Sequence, residues 1–199
     1  MRVRASVLAA ALLVPSVLVL SPNARDAGPG TAEAAVSVVV SLNELVSTAT
    51  HVVVAKATER QSLWEETPSG RRIVTYTRLD VERSVVGDSG TSLWVRTLGG
   101  AVGSTGQWVS GEAAITPGSR SLLFLTKAGT TFSVTAMGQG HFPIVTEGAV
   151  TRLAGSPDAG TLLPRRGPVV GARELLIGAS IDKAVQLIGE ARRAQKERK

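Results

Sequence analysis

Ile73-Val74-Thr75-Tyr76-Thr77-Arg78-Leu79-Asp80-Val81-Glu82 is the stretch on which the fold turns. Ile73, Thr75, Thr77, Leu79 and Val81 fall on one side of an extended chain, and Val74, Tyr76, Arg78, Asp80 and Glu82 on the other. A sustained period of two predicts a β-strand with one buried face. Working outward, Pro68-Ser69-Gly70 marks a turn before it and Gly87-Asp88-Ser89-Gly90 a break after it. Past the break, Leu93, Val95 and Thr97 alternate with Trp94 and Arg96, predicting a neighbouring strand. Upstream, His51-Val52-Val53-Val54-Ala55 opens an extended run to about Gln61.

Further along, residues 98–120 hold Gly99, Gly100, Gly103, Gly106, Gly111 and Gly118, with Trp108-Val109 and Ala113-Ala114-Ile115 as short extended pieces. Residues 122–125 read as a buried strand and 132–136 as its hairpin partner, with more strands over 142–145 and 150–153. Ser41-Leu42-Asn43-Glu44 is a capping box that starts a helix over 42–49, burying Leu42, Leu45 and Val46. Ser180 caps a second helix over 181–195, where Ile181, Ala184, Val185 and Ile188 form an apolar stripe. There is no βαβ alternation. The pattern predicts a mainly β chain: a small antiparallel OB-like barrel of five to six strands, with a short N-terminal helix and a C-terminal amphipathic helix.

The two ends differ from this middle. Arg2 and Arg4 precede an apolar run, Val7 to Leu20, and Ala32-Glu33-Ala34 is a small-x-small site. Charge, short apolar core and small-residue site in that order predict a signal peptide over 1–34, and so an exported protein, periplasmic or extracellular. The run is shorter than the about 20 residues a spanning helix needs. The organisation expected after it is a barrel domain over 35–153, a Gly/Pro-rich connection over 154–179, and a helix with a basic tail over 180–199. No cysteine occurs, which excludes a disulfide scaffold, thiol redox chemistry and Cys-ligated zinc. Much of the formal charge of +6 sits at the end, where Arg192, Arg193, Lys196, Arg198 and Lys199 stand against Glu197. Such a tail can draw the protein weakly to anionic surfaces, without the specificity of a nucleic-acid reader.

Several segments in succession carry a family resemblance: STATHVVVAKATE (47–59), LDVERSVVGD (79–88), LWVRTLGGAVG (93–103), PGSRSLLFL (117–125) and FSVTAMGQGHFPIV (132–145). Their order resembles a group of uncharacterised exported bacterial proteins. It is also similar to the netrin-like domain, the OB-type barrel of tissue inhibitors of metalloproteinases. The resemblance covers residues 41–145 and implies a barrel and export. Those inhibitors act through an N-terminal cysteine, absent here, so no functional residues carry over.

Chemistry is sparse. His51 and His141 are the two histidines, with no HExxH and no Gly-x-Ser-x-Gly elbow. Glu65 and Glu66 are consecutive, so on a strand they point to opposite faces and read as solvated charges rather than a glycosidase pair. The glycine-rich loop lacks the Gly-Lys-Ser/Thr ending of a phosphate loop. No metal or organic cofactor is called for.

One constellation stands out. Tyr76 and Arg78 share one strand's polar face, and Trp94 and Arg96 share that of the next. If the strands pair, rings and guanidinium groups stand together, as on OB faces that bind by stacking and charge. An indole of that size ordinarily finds cover, beneath a loop or the C-terminal helix. The candidate binding residues are Tyr76, Arg78, Trp94 and Arg96 on this face, with Gly99, Gly100, Gly103 and Trp108 in the adjoining loop. The expectation is a non-catalytic exported module that binds an unknown protein, peptide or envelope polymer. The alternative is an envelope-associated hydrolase with an unrecognised site.

Overall fold

A computed structural model describes residues 36–197 of the chain; the expected signal segment lies outside the described residues. In chain order the elements are β1 (Val36–Val38), α1 (Leu42–Thr48), β2 (His51–Thr67), β3 (Gly70–Val86), β4 (Ser92–Leu98), β5 (Gly100–Val102), β6 (Thr105–Gln107), β7 (Arg120–Ala128), β8 (Thr131–Val134), β9 (His141–Glu147), β10 (Val150–Leu153), β11 (Thr161–Leu163), α2 (Ala172–Leu176) and α3 (Ile181–Lys196). The chain is mainly β.

The alternating stretch 73–82 lies inside β3, which pairs along its length with β2 as a long hairpin turning at Pro68 and Ser69. Ile73, Thr75, Thr77 and Leu79 are buried as the alternation requires. The main sheet has seven strands in the order β10-β9-β7-β2-β3-β4-β8, and β8 also pairs with β7. The expectation of five or six antiparallel strands is corrected on two counts. There are seven strands, and the sheet is mixed, because β8 runs parallel to β4 at Val95↔Phe132. The parallel contact arises because β8 turns back antiparallel from β7, which is itself placed beside β2.

The first part of β2 and most of β7 are buried on both faces, so their apolar runs do not alternate. On one face Val53, Ala55, Leu123 and Leu125 pack with Leu79, Leu93, Val95 and Val134, and with Ala113 and Ile115 from the loop before β7. On the other, Val52, Val54, Leu122 and Phe124 meet Phe142 and the helices through Leu45, Val46, Leu176, Ala184 and Ile188.

Both predicted caps are formed. Ser41 Oγ accepts from Glu44 N–H at 3.2 Å while Glu44 Oε2 accepts from Ser41 N–H at 2.9 Å. That backbone donor, with Arg165 beside it, holds the Glu44 carboxyl at a pKa of about 2. Ser180 Oγ accepts from Lys183 N–H at 3.2 Å.

Residues 154–179 are more than a connection: they contain β11, which pairs parallel with β1, and the short helix α2. Neither was legible, since both are only a turn or so long and sit among Gly and Pro. The segments expected to be extended at 108–109 and 113–115 are irregular, and the loop's hairpin is β5–β6. Nor is the basic end simply a solvated tail. α3 continues to Lys196, and Arg192 donates to Val46 O at 3.3 Å, satisfying a carbonyl near the end of α1.

Candidate binding face

The pairing of β3 with β4 brings the four predicted face residues together. Tyr76 is directly opposite Arg96, and Arg78 opposite Trp94. All four therefore lie on one face of the sheet, the face turned away from buried Thr75, Thr77 and Leu79. Trp94 is not covered as its size suggests: it is 37% exposed. The C-terminal helix packs instead on the α1 side of β2 and β7.

Alternation along single strands does not reveal what β2 contributes. Its register places Glu59 opposite Arg78, Gln61 opposite Tyr76, Leu63 opposite Val74 and Glu65 opposite Arg72. Arg78 is paired with Glu59 at 2.8 Å and lies 3.8 Å from Asp80. Arg72 Nε donates to Glu65 Oε2 at 2.7 Å, and Arg96 Nε donates to Glu65 Oε1 at 3.2 Å. The guanidinium hydrogen bonds from Arg96 and then Arg72 hold the Glu65 carboxyl below its usual range. The reading of Glu65 and Glu66 as two solvated charges is corrected for Glu65, which is half-buried between two arginines; Glu66 is exposed.

The loop residues form a separate group. Gly99 and Gly100 follow β4, and Gly100 lies against the inner face: a Cβ there would be 2.2 Å from Thr75 Oγ1 and 2.5 Å from Ser62 Oγ. With Trp108, Arg60, Thr97 and Glu112 they line a cleft of about 110 Å³. That is well below the roughly 300 Å³ at which small-molecule sites begin. Glu112 is occupied in accepting from the N–H groups of Leu98 and Ala113, at 3.2 and 3.0 Å. Trp108 is 65% exposed, and Gly103 stands at the β5–β6 turn with open space around it. Of the eight predicted residues, four thus lie on an outer face and Gly99, Gly100 and Trp108 line a loop cleft, while Gly103 stands apart from both.

Two serines to which the sequence does not point, Ser121 and Ser156, flank His141. His141 Nε2 lies 3.0 Å from Ser121 Oγ, and Nδ1 lies 3.2 Å from Ser156 Oγ. Serine and histidine at this distance are the parts of an activated nucleophile. All three side chains belong to residues only 2% exposed, however, so a substrate has no path to them. Burial lowers the His141 pKa to about 4, leaving a neutral ring that exchanges hydrogen bonds with two hydroxyls. His51 has other partners, Thr50 Oγ1 at 2.9 Å and the Asp88 carbonyl at 3.2 Å. Among the described residues no group of three or more His, Asp or Glu side chains could hold a metal ion.

No protein-family model and no curated protein matches this chain.

The face is a fixed polar surface with one prominent ring. Every guanidinium on it has a carboxylate partner, which limits its freedom, and Trp94 stands among them with over a third of its surface in solvent.

Proposed function

We propose that the protein is an exported, non-catalytic binding module whose partner, a protein, peptide or envelope polymer, docks on the outer face of β3 and β4. The observation that carries this is Trp94, a large aromatic left substantially exposed beside Arg78 on a sheet face. Trp, Tyr and Arg, which this face brings together, are the residues that most often anchor binding. The charge, apolar run and small-residue site at the N-terminus support export.

The strand pairings support an OB-like, netrin-like barrel as the scaffold. β2 pairs with β3 and β7, β3 with β4, and β8 with both β4 and β7, as expected of a five-stranded, partly open barrel. In that arrangement β3 and β4 take the place of the strands on which OB folds carry ligands. The exposed Arg193 and Lys196 near the end of α3 add weak attraction to anionic surfaces.

Affinity capture from envelope and medium extracts, with low-salt and high-salt washes, tests the reading. A discrete salt-resistant partner lost on Trp94→Ala and kept on Trp108→Ala is the expected result. Capture of anionic polymers alone, released by salt and indifferent to Trp94, would reduce the function to the charge of the tail.

A further inference from the structure

We infer that the ligand of this face is a neutral oligosaccharide chain. The inference rests on the reading of β3 and β4 as the binding face and specifies the chemistry of its partner.

Arg72, Arg78 and Arg96 are matched on the same face by Glu59, Glu65 and Asp80, through the contacts Arg72–Glu65, Arg96–Glu65, Arg78–Glu59 and Arg78–Asp80; Lys56, exposed and opposite Asp80, adds one further cation at the end of this set. One net charge is a weak field with which to gather a polyanion, whose binding draws on several unmatched Lys and Arg. A protein partner fits poorly for a different reason. Tyr, Trp and Arg are common in protein interfaces, but Glu and Asp are depleted there, and seating an apolar surface over these paired ions removes their water without replacing it. The exposed apolar groups here, Leu63 and Trp94, are not contiguous: the row holding Tyr76 and Arg96 separates them.

A neutral sugar chain matches what remains. A pyranose ring has an apolar C–H face that can lie on an indole, and a rim of hydroxyls that both donate and accept. The carboxylates of Glu59, Glu65 and Asp80 offer acceptors and the three guanidinium groups offer donors. The ion pairs already hold these groups in place, so little side-chain freedom is lost on binding. Sugar hydroxyls replace water on the ion pairs in kind and leave them solvated. From Arg78 to Arg72 the face runs roughly 20 Å along β3, enough for several rings in a row.

The test is an array of neutral oligosaccharides covering gluco-, galacto- and manno-configured chains, with sulfated and phosphorylated chains alongside, probed with the purified protein. The expected result is retention of a neutral class, equal at low and high salt. Loss of one stacking contact in Trp94→Ala should weaken it up to about tenfold. Glu65→Gln should weaken it too, and Trp108→Ala should not. Unchanged circular dichroism of Trp94→Ala shows that the loss is local. Retention of anionic chains alone, or of none, overturns the inference. If no glycan binds but a protein is captured through Trp94, the ligand class is wrong and the binding face stands. If neither binds through Trp94, both readings fail.

Discussion

Glu65 on β2 reaches Arg96 on β4 across the intervening strand, with Arg96 Nε donating to Oε1 at 3.2 Å and Nη2 to Oε2 at 2.5 Å. This is a two-pronged contact, the geometry that makes an arginine–carboxylate pair strongest. Between the Arg72 and Tyr76 rows it joins lies Val74, on the same outer face, yet with no exposed surface. The bridge ties three strands together over an apolar residue.

A double-mutant cycle of Glu65→Gln and Arg96→Met should therefore show a coupling of about 1 kcal/mol in urea unfolding, at the upper end for ion pairs near a surface. The Glu65 carboxyl is held below its unfolded pKa. The pair's stabilisation is then complete above the ordinary carboxylate range and is lost as pH falls below it. A coupling within error of zero at neutral pH would show that Glu65 and Arg96 do not act together in solution.

The contrast between what was legible and what was not follows the range of the forces. Capping at Ser41 and Ser180 and the alternation at 73–82 depend on neighbours within a few residues, so the sequence displays them directly. The membership of the face at Tyr76, Arg78, Trp94 and Arg96 needed only one pairing between adjacent strands. Glu65 needed the register of three strands, shifted by irregularities between Val52/Val53, Val54/Ala55 and Ala57/Glu59, which no single-strand pattern encodes. The far half of β2 is mostly polar, with Leu63 and Trp64 on opposite faces, so its strand character comes from pairing with β3 rather than from its own periodicity. The buried serines around His141 come from β7 and from the loop after β10, far apart in sequence.

His141 should make the protein acid-sensitive. Burial depresses its folded pKa from 6.5 to about 4, so the folded state binds fewer protons than the unfolded chain as pH falls through that window. Its contribution is unopposed above pH 6.5 and declines below it, by about 2 kcal/mol at pH 5 and about 3 kcal/mol at pH 4. Urea unfolding of the parent should show this decline between pH 6.5 and 5, before most carboxylates titrate. His141→Gln, which keeps hydrogen bonding without titrating, should flatten it. Equal slopes in both proteins would mean that the ring is protonated within the fold.

Gly100 and Gly103 should respond very differently to alanine, although both have positive φ, 128° and 59°. At Gly103 the new methyl meets open space, and the left-handed conformation alone costs about 1 kcal/mol. At Gly100 the methyl would displace Thr75 Oγ1, which donates to Gly99 O at 2.6 Å and is hydrogen-bonded to Ser62. That adds overpacking and broken hydrogen bonds, for about 3 kcal/mol in all. Thermal unfolding of the two variants side by side would settle the difference, and equal midpoints would remove Gly100 from its place against β3.

Leu123 and Phe124 are adjacent on β7 but belong to different cores, and alanine at each should show it. Leu123 points to the cluster of Val53, Leu79 and Val95 between the strands. Phe124 points to the helices and meets Phe142 edge to face, with ring centroids 6.0 Å apart. Both are fully buried, so Leu123→Ala should cost about 2–5 kcal/mol and Phe124→Ala about 3–5 kcal/mol through the cavities left behind. The local consequences should separate. Hydrogen exchange should quicken in β3, β4 and β8 for Leu123→Ala, and in α1 and α3 for Phe124→Ala. If one variant loosened both sets equally, the two faces of β7 would share a single cooperative core. If neither lost stability, the placement of β7 between sheet and helices would be wrong.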